Sequence, residues 1–176
     1  MEPTTITHTL SPIFNHDSHV LILGTMPSPQ SRQRGFYYGN PQNRFWRVLA
    51  RVFDEPLPQT NEERTSLILH HHLALWDVLS SCTITGASDA SISNPIPNDL
   101  NIVVDRAPIS TIVTTGTKAA QLFKRFYPLQ QNQKKSEQPL TWIALPSTSP
   151  ANARMSLDAL VDAYQILRRI AEPETT

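Results

Sequence analysis

One cysteine, five glycines and no excess of charge are the scarcities of this 176-residue chain. A lone Cys82 cannot close an internal disulfide, nor supply the roughly four thiolates of an iron–sulfur cluster. The glycines are too dispersed for a dinucleotide fingerprint, and no Gly-x-x-x-x-Gly-Lys-Ser/Thr loop is present, so no cofactor is expected. Lysine plus arginine equals aspartate plus glutamate at 15 each, so overall charge does not point to nucleic acid. No apolar run approaches the ~18 residues of a membrane span. Residues Met1 to Leu10 lack the basic start and apolar middle of a signal peptide. A cytoplasmic protein without a membrane partner is expected.

With 39% hydrophobic and 17% charged residues, the composition is that of a globular protein. The length suits one domain over residues 1–176, with 1–10 and 171–176 as flexible tails and a monomer as the default. One local imbalance stands out. Between Leu21 and Val52 there are five arginines (Arg32, Arg34, Arg44, Arg47, Arg51) and no acidic residue. That pattern reads either as a positive patch for nucleic acid or as an ordinary solvated helix face.

The apolar run Val20 to Leu23, stopped by Gly24, predicts a buried strand. A loop through Pro41 follows, then a helix over Asn43 to Phe53 with Asn43 at its start. Acidic residues in the first turn predict a second helix over Asn61 to Leu69. Leu73 to Leu79 reads as a strand leading into a short helix, and the polar stretch Ser80 to Asn98 as a long loop. Thr111 to Thr115 is the next strand, with a helix over Lys118 to Phe126. After a polar excursion at Gln130 to Gln138, a strand is expected over Leu140 to Leu145 and a final helix over Ser156 to Ile170. Alternating strands and helices predict a three-layer α/β/α sandwich with a mainly parallel central sheet. Its loops after Leu23, Thr115 and Leu145 would converge on one crevice.

Three adjacent histidines, His70 to His72, cannot readily converge on one ion, because successive side chains diverge on a strand or a helix. A structural or surface role is expected, and no metal. Cys82 reads as a small buried hydrophobe. The loops Gly24-Thr25-Met26-Pro27-Ser28 and Pro146-Ser147-Thr148-Ser149-Pro150 both put proline and hydroxyl residues at strand exits. Each is compatible with a simple turn or with hydrogen bonding to a phosphodiester. Phe36-Tyr37-Tyr38 offers a flat surface, and Asn40 an uncharged donor and acceptor. Together these suit a nucleotide turned out of its helix.

The strings Gly24-Thr25-Met26-Pro27-Ser28, Tyr37-Tyr38-Gly39-Asn40-Pro41-Gln42-Asn43-Arg44-Phe45-Trp46 and Leu145-Pro146-Ser147-Thr148-Ser149-Pro150-Ala151-Asn152 resemble the uracil-DNA glycosylase superfamily. They are most similar to its hypoxanthine-DNA, or deoxyinosine, branch, and the likeness runs from about Ser11 to Ile170. The resemblance implies a repair glycosylase acting on DNA that contains a deaminated base, without metal or cofactor. It implies Gly24, Thr25, Met26, Pro27 and Ser28 around the substrate and Tyr38 as the stacking platform. Ser147, Thr148, Ser149, Pro150, Ala151, Asn152 and Arg154 would form the loop that enters the duplex. Mismatch-type relatives carry a water-positioning asparagine where this chain has Met26, which can hold a water only poorly. The resemblance therefore moves catalysis to Asn40 or Asn43, with Asn40 preferred. A broader uracil glycosylase and a non-catalytic DNA-binding module remain as alternatives.

Overall fold

The computed structural model describes residues 1–128 and 139–172. Its centre is a four-stranded parallel sheet in the order β3-β2-β6-β7, formed by β2 (Val20–Gly24), β3 (Leu73–Asp77), β6 (Thr111–Thr115) and β7 (Thr141–Leu145). Every residue of β2, β3 and β6 is buried, as expected of unalternated apolar strands covered on both faces. The helices are α1 (Pro29–Arg34), α2 (Phe45–Val52), α3 (Asn61–His70), α4 (Asn101–Val104), α5 (Thr117–Phe126), α6 (Leu157–Tyr164) and α7 (Ile166–Ala171). From β2 the chain goes out to β3 on one side and returns to β6 on the other. The right-handed crossover rule then puts the helices between β2 and β3 on one face and α5 on the other. The α/β expectation holds, and the reversal of strand order falls between β2 and β6.

Several local expectations need correction. The stretch 80–98 is not a long loop: β4 (Leu79–Ile84) and β5 (Ser93–Pro97) form an antiparallel pair joined through a short 3₁₀ turn at Asp89–Ser91. Leu79, Cys82 and Ile84 point inward while Ser80, Ser81 and Thr83 are wetter, so the polar residues disguised a strand. Pro95 and Pro97 lie on the edge strand, where a missing N–H is tolerated. Residues 1–10 are not a loose tail either, because β1 (Thr4–Thr7) completes a second sheet of order β1-β4-β5 and buries Ile6. At the other end, Ala171 is buried and Glu172 meets His71, leaving only 173–176 of the expected tail outside the described residues. Gln130 to Gln138 also lies outside them. The loop after β2 contains helix α1, β3 passes directly into β4 rather than into a helix, and the final helix divides at Gln165.

Of the histidines, His70 is exposed and His72 takes a positive φ of 57°. His71 is buried, with Nε2 and Nδ1 each 3.0 Å from a carboxylate, those of Glu55 and Glu172. Glu55, His70 and His71 do bring one ligand atom each within 4.8 Å of one another, near the start of β3. Among the described residues no helix is long and apolar enough to cross a membrane.

Helix α3 opens on a reciprocal cap. Thr60 Oγ1 accepts the Glu63 N–H at 3.1 Å, and Glu63 Oε2 accepts the N–H groups of Gln59 and Thr60. Those two backbone donors, Gln59 first, hold the Glu63 carboxyl below its ordinary 4.5. A depressed carboxylate stabilises the fold above its unfolded value and loses that contribution as pH falls through the folded one. Thr60→Ala, which removes the acceptor of the Glu63 N–H, should cost about 1 kcal/mol in urea denaturation at neutral pH. Glu63→Gln should flatten the fall in stability below pH 4.5.

Candidate active site

The site lies at the carboxyl edge of the parallel sheet, at the reversal between β2 and β6 where open α/β sheets place their ligands. Three loops meet there. The Tyr38 hydroxyl is 3.4 Å from Thr115 Oγ1, joining the aromatic loop to the end of β6. A Cβ built on Gly116, whose φ is +95°, would come within 3.2 Å of the Ser147 Cβ, so the exits of β6 and β7 pack against each other. The expected convergence of the loops after Leu23, Thr115 and Leu145 is present.

Ser31 of α1 ties the first loop to the aromatic one. Its N–H donates to Ser28 Oγ, whose hydroxyl donates in turn to Ser31 Oγ, and that oxygen accepts the Gly39 N–H at 2.9 Å. Ser28 is thus turned to the start of α1 as its cap. Thr25 and Pro27 are buried and Met26 is half-buried.

The three aromatics are held in different ways. Tyr37 is buried and donates its hydroxyl to Ser11 O at 2.8 Å, and Phe36 leans on Trp46. Tyr38 stacks on Phe45 with ring centroids 3.7 Å apart and planes 12° from parallel. Its φ is +52°, a left-handed backbone that costs a bulky residue about 1–2 kcal/mol. Such strain survives only where the surroundings fix it, and it is concentrated at functional sites. Burial first, then the nearby Asp77 carboxylate, pushes the Tyr38 phenol up, so it remains a neutral hydroxyl.

The two asparagines differ in what their side chains already do. Asn43 Oδ1 accepts the N–H of Phe45, the first residue of α2, and the buried Thr148 hydroxyl at 2.8 Å. Both acceptor positions of that oxygen are occupied. Asn40 Oδ1 accepts one bond, from the Gln42 N–H at 2.9 Å. Among the described residues its amide nitrogen has no protein acceptor, so a half-buried donor and a free lone pair remain.

Arg44 shapes the second loop. Its backbone N–H bonds Thr148 O, and its guanidinium donates to the carbonyls of Thr148, Ser149, Asn152 and Met155. Asn152 closes the same loop by donating to Ser147 O, and Tyr164 donates to Pro146 O at 2.5 Å. The tip remains outside: Pro150, Ala151, Ala153 and Arg154 are exposed. The positive face read from the arginines is accordingly smaller than its count. Arg44 points inward, and Arg51 pairs with Asp158 at 2.6 Å.

One partner, His8, escaped sequence reading. His8, whose side chain is enclosed although its segment was expected to be loose, donates from Nε2 to Asp77 Oδ2 at 2.7 Å, and Asp77 ends β3 beside Gly24. His8 lies in no local pattern that singles it out, because only the strand pairing brings it to Asp77. At the rim, Asp89 lies near Thr25, Asp77 and Lys118; desolvation and Asp77 push its carboxyl up, against the Thr25 hydrogen bond and Lys118.

Comparison with known proteins agrees with this architecture. A family model described as the uracil DNA glycosylase superfamily matches residues 11–168. A protein of Methanosarcina acetivorans named hypoxanthine DNA glycosylase is 30% identical over 146 residues, covering 82% of this chain and 87% of that one. One of the same name from Methanosarcina barkeri is 30% identical over 112 residues, covering 62% and 71%. A solution NMR structure from M. acetivorans, carrying a provisional uracil DNA glycosylase name, superposes with a TM-score of 0.78 at 26% identity. It covers 96% of this chain and the whole of the other. With most of its length matched and its crevice at the sheet reversal, this chain belongs to the uracil DNA glycosylase superfamily.

Proposed function

We propose that this protein is a monofunctional DNA repair glycosylase that turns a deaminated base out of DNA, hypoxanthine of deoxyinosine foremost, and hydrolyses its N-glycosidic bond. The observation that carries this reading is the pairing, in the crevice loop, of a strained Tyr38 backed by Phe45 with an Asn40 side chain that spends a single acceptor position on the Gln42 N–H. The 30% identity to proteins named hypoxanthine DNA glycosylase supports the choice of base.

In the reaction the extruded base stacks on the open face of Tyr38. Asn40 orients a water beneath the sugar carbon. As the bond to the base breaks, positive character grows on the sugar and the water oxygen bonds to that carbon. One water proton is released and the departing base nitrogen takes one up. An amide is a poor base, so the rate enhancement comes from orientation and fixed dipoles. Pro150, Ala151 and Ala153 are the wedge that fills the place of the lost base, with Arg154 behind them on the phosphates. Ser147, Thr148, Ser149 and Asn152 keep the wedge in shape, and a single domain acts as a monomer.

Incubation with inosine- and uracil-containing oligonucleotides, then alkali cleavage at abasic sites, tests the reading. Cleavage with inosine but not uracil is expected. Cleavage of uracil strands at a matching rate would mark a broader uracil enzyme. Met26, at a position where a water-holding asparagine would serve catalysis, is the feature that favours a binding module, and binding without cleavage of either strand would establish that instead.

A further inference from the structure

We propose that Glu55, His70 and His71 bind a first-row divalent cation, Zn²⁺ foremost, at the amino edge of the parallel sheet, with Glu172 orienting His71 as a ligand. The role of the cation is structural: it fastens the loop after α2 and the residue that follows α7 to the end of α3. The proposal does not depend on the glycosylase reading. β3 runs from Leu73, beside the cluster, to Asp77 at the crevice, so about 13 Å of strand separates the two.

Adjacent histidines diverge on a regular element, but these two sit where one ends. His70 closes α3 and His71 caps it with φ −96° and ψ 22°, off the helical path, and their rings meet edge to face with centroids 5.0 Å apart. His72 leaves the group, turning its Nδ1 to Asp17 O at 3.2 Å. Glu55 enters from the loop after α2: Asp54 takes a φ of 54°, and the Glu55 N–H returns to Ala50 O at 2.8 Å. One ligand atom from each of Glu55, His70 and His71 lies within 4.8 Å of the other two. Bonds of about 2.0–2.1 Å to a tetrahedral ion place ligand atoms roughly 3.3 Å apart, so closure takes a movement of roughly 1.5 Å. Exposed His70 and half-buried Glu55 can supply it while buried His71 stays in place.

His71 carries the argument for a cation. Its side chain is 8% exposed, and Phe53 stacks on the ring with centroids 4.2 Å apart. Both ring nitrogens face carboxylates at 3.0 Å, Nε2 that of Glu55 and Nδ1 that of Glu172. A neutral imidazole has one N–H, so its other nitrogen meets a carboxylate oxygen lone pair to lone pair. A cation or a second proton must bridge that contact. With Nδ1–H donated to Glu172, the Nε2 lone pair is turned to Glu55 and available to a metal. An outer carboxylate that fixes the tautomer and ring orientation in this way is the usual companion of a metal-binding histidine.

Two imidazole nitrogens and one carboxylate oxygen suit Zn²⁺, whereas Ca²⁺ and Mg²⁺ take oxygen ligands. Water fills the fourth place. With both carboxylates ionised and both histidines neutral, a divalent cation brings the cluster to zero net charge. Arg168, near Glu172, is already committed, donating to Asp54 Oδ2 at 2.6 Å and to Val52 O at 3.3 Å. Glu172 lies 101 positions after His71, so the cation ties together parts of the chain that no single element connects.

The test is calorimetric titration of the full chain with zinc after dialysis against EDTA, with cobalt as the spectroscopic probe. One Zn²⁺ per chain is expected, and Co²⁺ should show the intense visible bands of a tetrahedral site. Zinc at a hundred times its Kd should raise the melting temperature by roughly 5–10 °C. His70→Ala, a change at an exposed side chain that leaves the fold intact, should lower zinc affinity by at least about a hundredfold, and Glu172→Gln by about tenfold. His70→Asp, which keeps a ligand atom, should recover most of the loss, and His72→Ala should change nothing. Chelation should leave base release from inosine strands at its starting rate. If no strand loses a base in any condition, the glycosylase reading fails and the titration still decides the metal site. Absence of a one-to-one complex, binding that survives His70→Ala, or an equal loss in His72→Ala would mark a plain histidine–carboxylate contact or a loose histidine run and overturn the proposal. Loss of base release on chelation would overturn its structural role.

Discussion

Asn40→Ala will stop release of hypoxanthine, by at least about a hundredfold in kcat, while affinity for inosine-containing DNA changes little. The size follows from the proposed role. An amide that only orients a water and a dipole contributes on the scale of one preorganised hydrogen-bond group, and Met26 has no donor with which to replace it. Asn40 uses one acceptor position on the Gln42 N–H, so truncation disturbs the turn at Pro41 only slightly. Asn43→Ala should behave in the opposite way. It deprives Phe45 N–H of its partner and leaves the buried Thr148 hydroxyl unpaired, at about 1–3 kcal/mol of stability. Single-turnover assays beside thermal melts separate the two. A folded, inactive Asn43→Ala together with an active Asn40→Ala would reverse the assignment.

Arg44→Lys is the second large effect, expected to destabilise the protein by about 3 kcal/mol and to weaken binding to inosine-containing duplex. The guanidinium reaches four carbonyls of one loop, those of Thr148, Ser149, Asn152 and Met155. A lysine carries the same charge on a compact head with fewer donors and cannot span that fork. If Arg44 served chiefly as positive charge for phosphate, lysine would restore function, and the salt dependence of DNA binding would be unchanged. If it shapes the loop, lysine fails nearly as badly as alanine. Urea unfolding and binding measured across salt concentration distinguish the outcomes.

The sequence was most legible where burial is complete. Val20 to Leu23 and Thr111 to Thr115 are buried at every residue, so their apolar or β-branched runs could hardly be read otherwise. It was least legible where half the residues face water. β4 and β5 mix serine, threonine and proline with a few inward groups, and β1 has only Ile6 buried. For the site, Asn40, Tyr38 and the two Pro-Ser loops were visible as motifs. Arg44 was visible as a charge, yet its inward direction depends on carbonyls more than a hundred residues later. The His8–Asp77 contact spans 69 positions and belongs to no motif, so only the paired strands reveal it.

The second sheet carries a consequence for the order of assembly. β1 emerges first during synthesis but its partner follows far behind, Thr5 facing Thr83 across 78 positions. Contacts so distant in sequence close late, after the local helices and the hairpin of β4 and β5. A partly folded chain could therefore hold Tyr38 and Asn40 in place before His8 arrives. The His8–Asp77 hydrogen bond is then the last contact at this edge of the sheet to form, and the first lost when β1 frays.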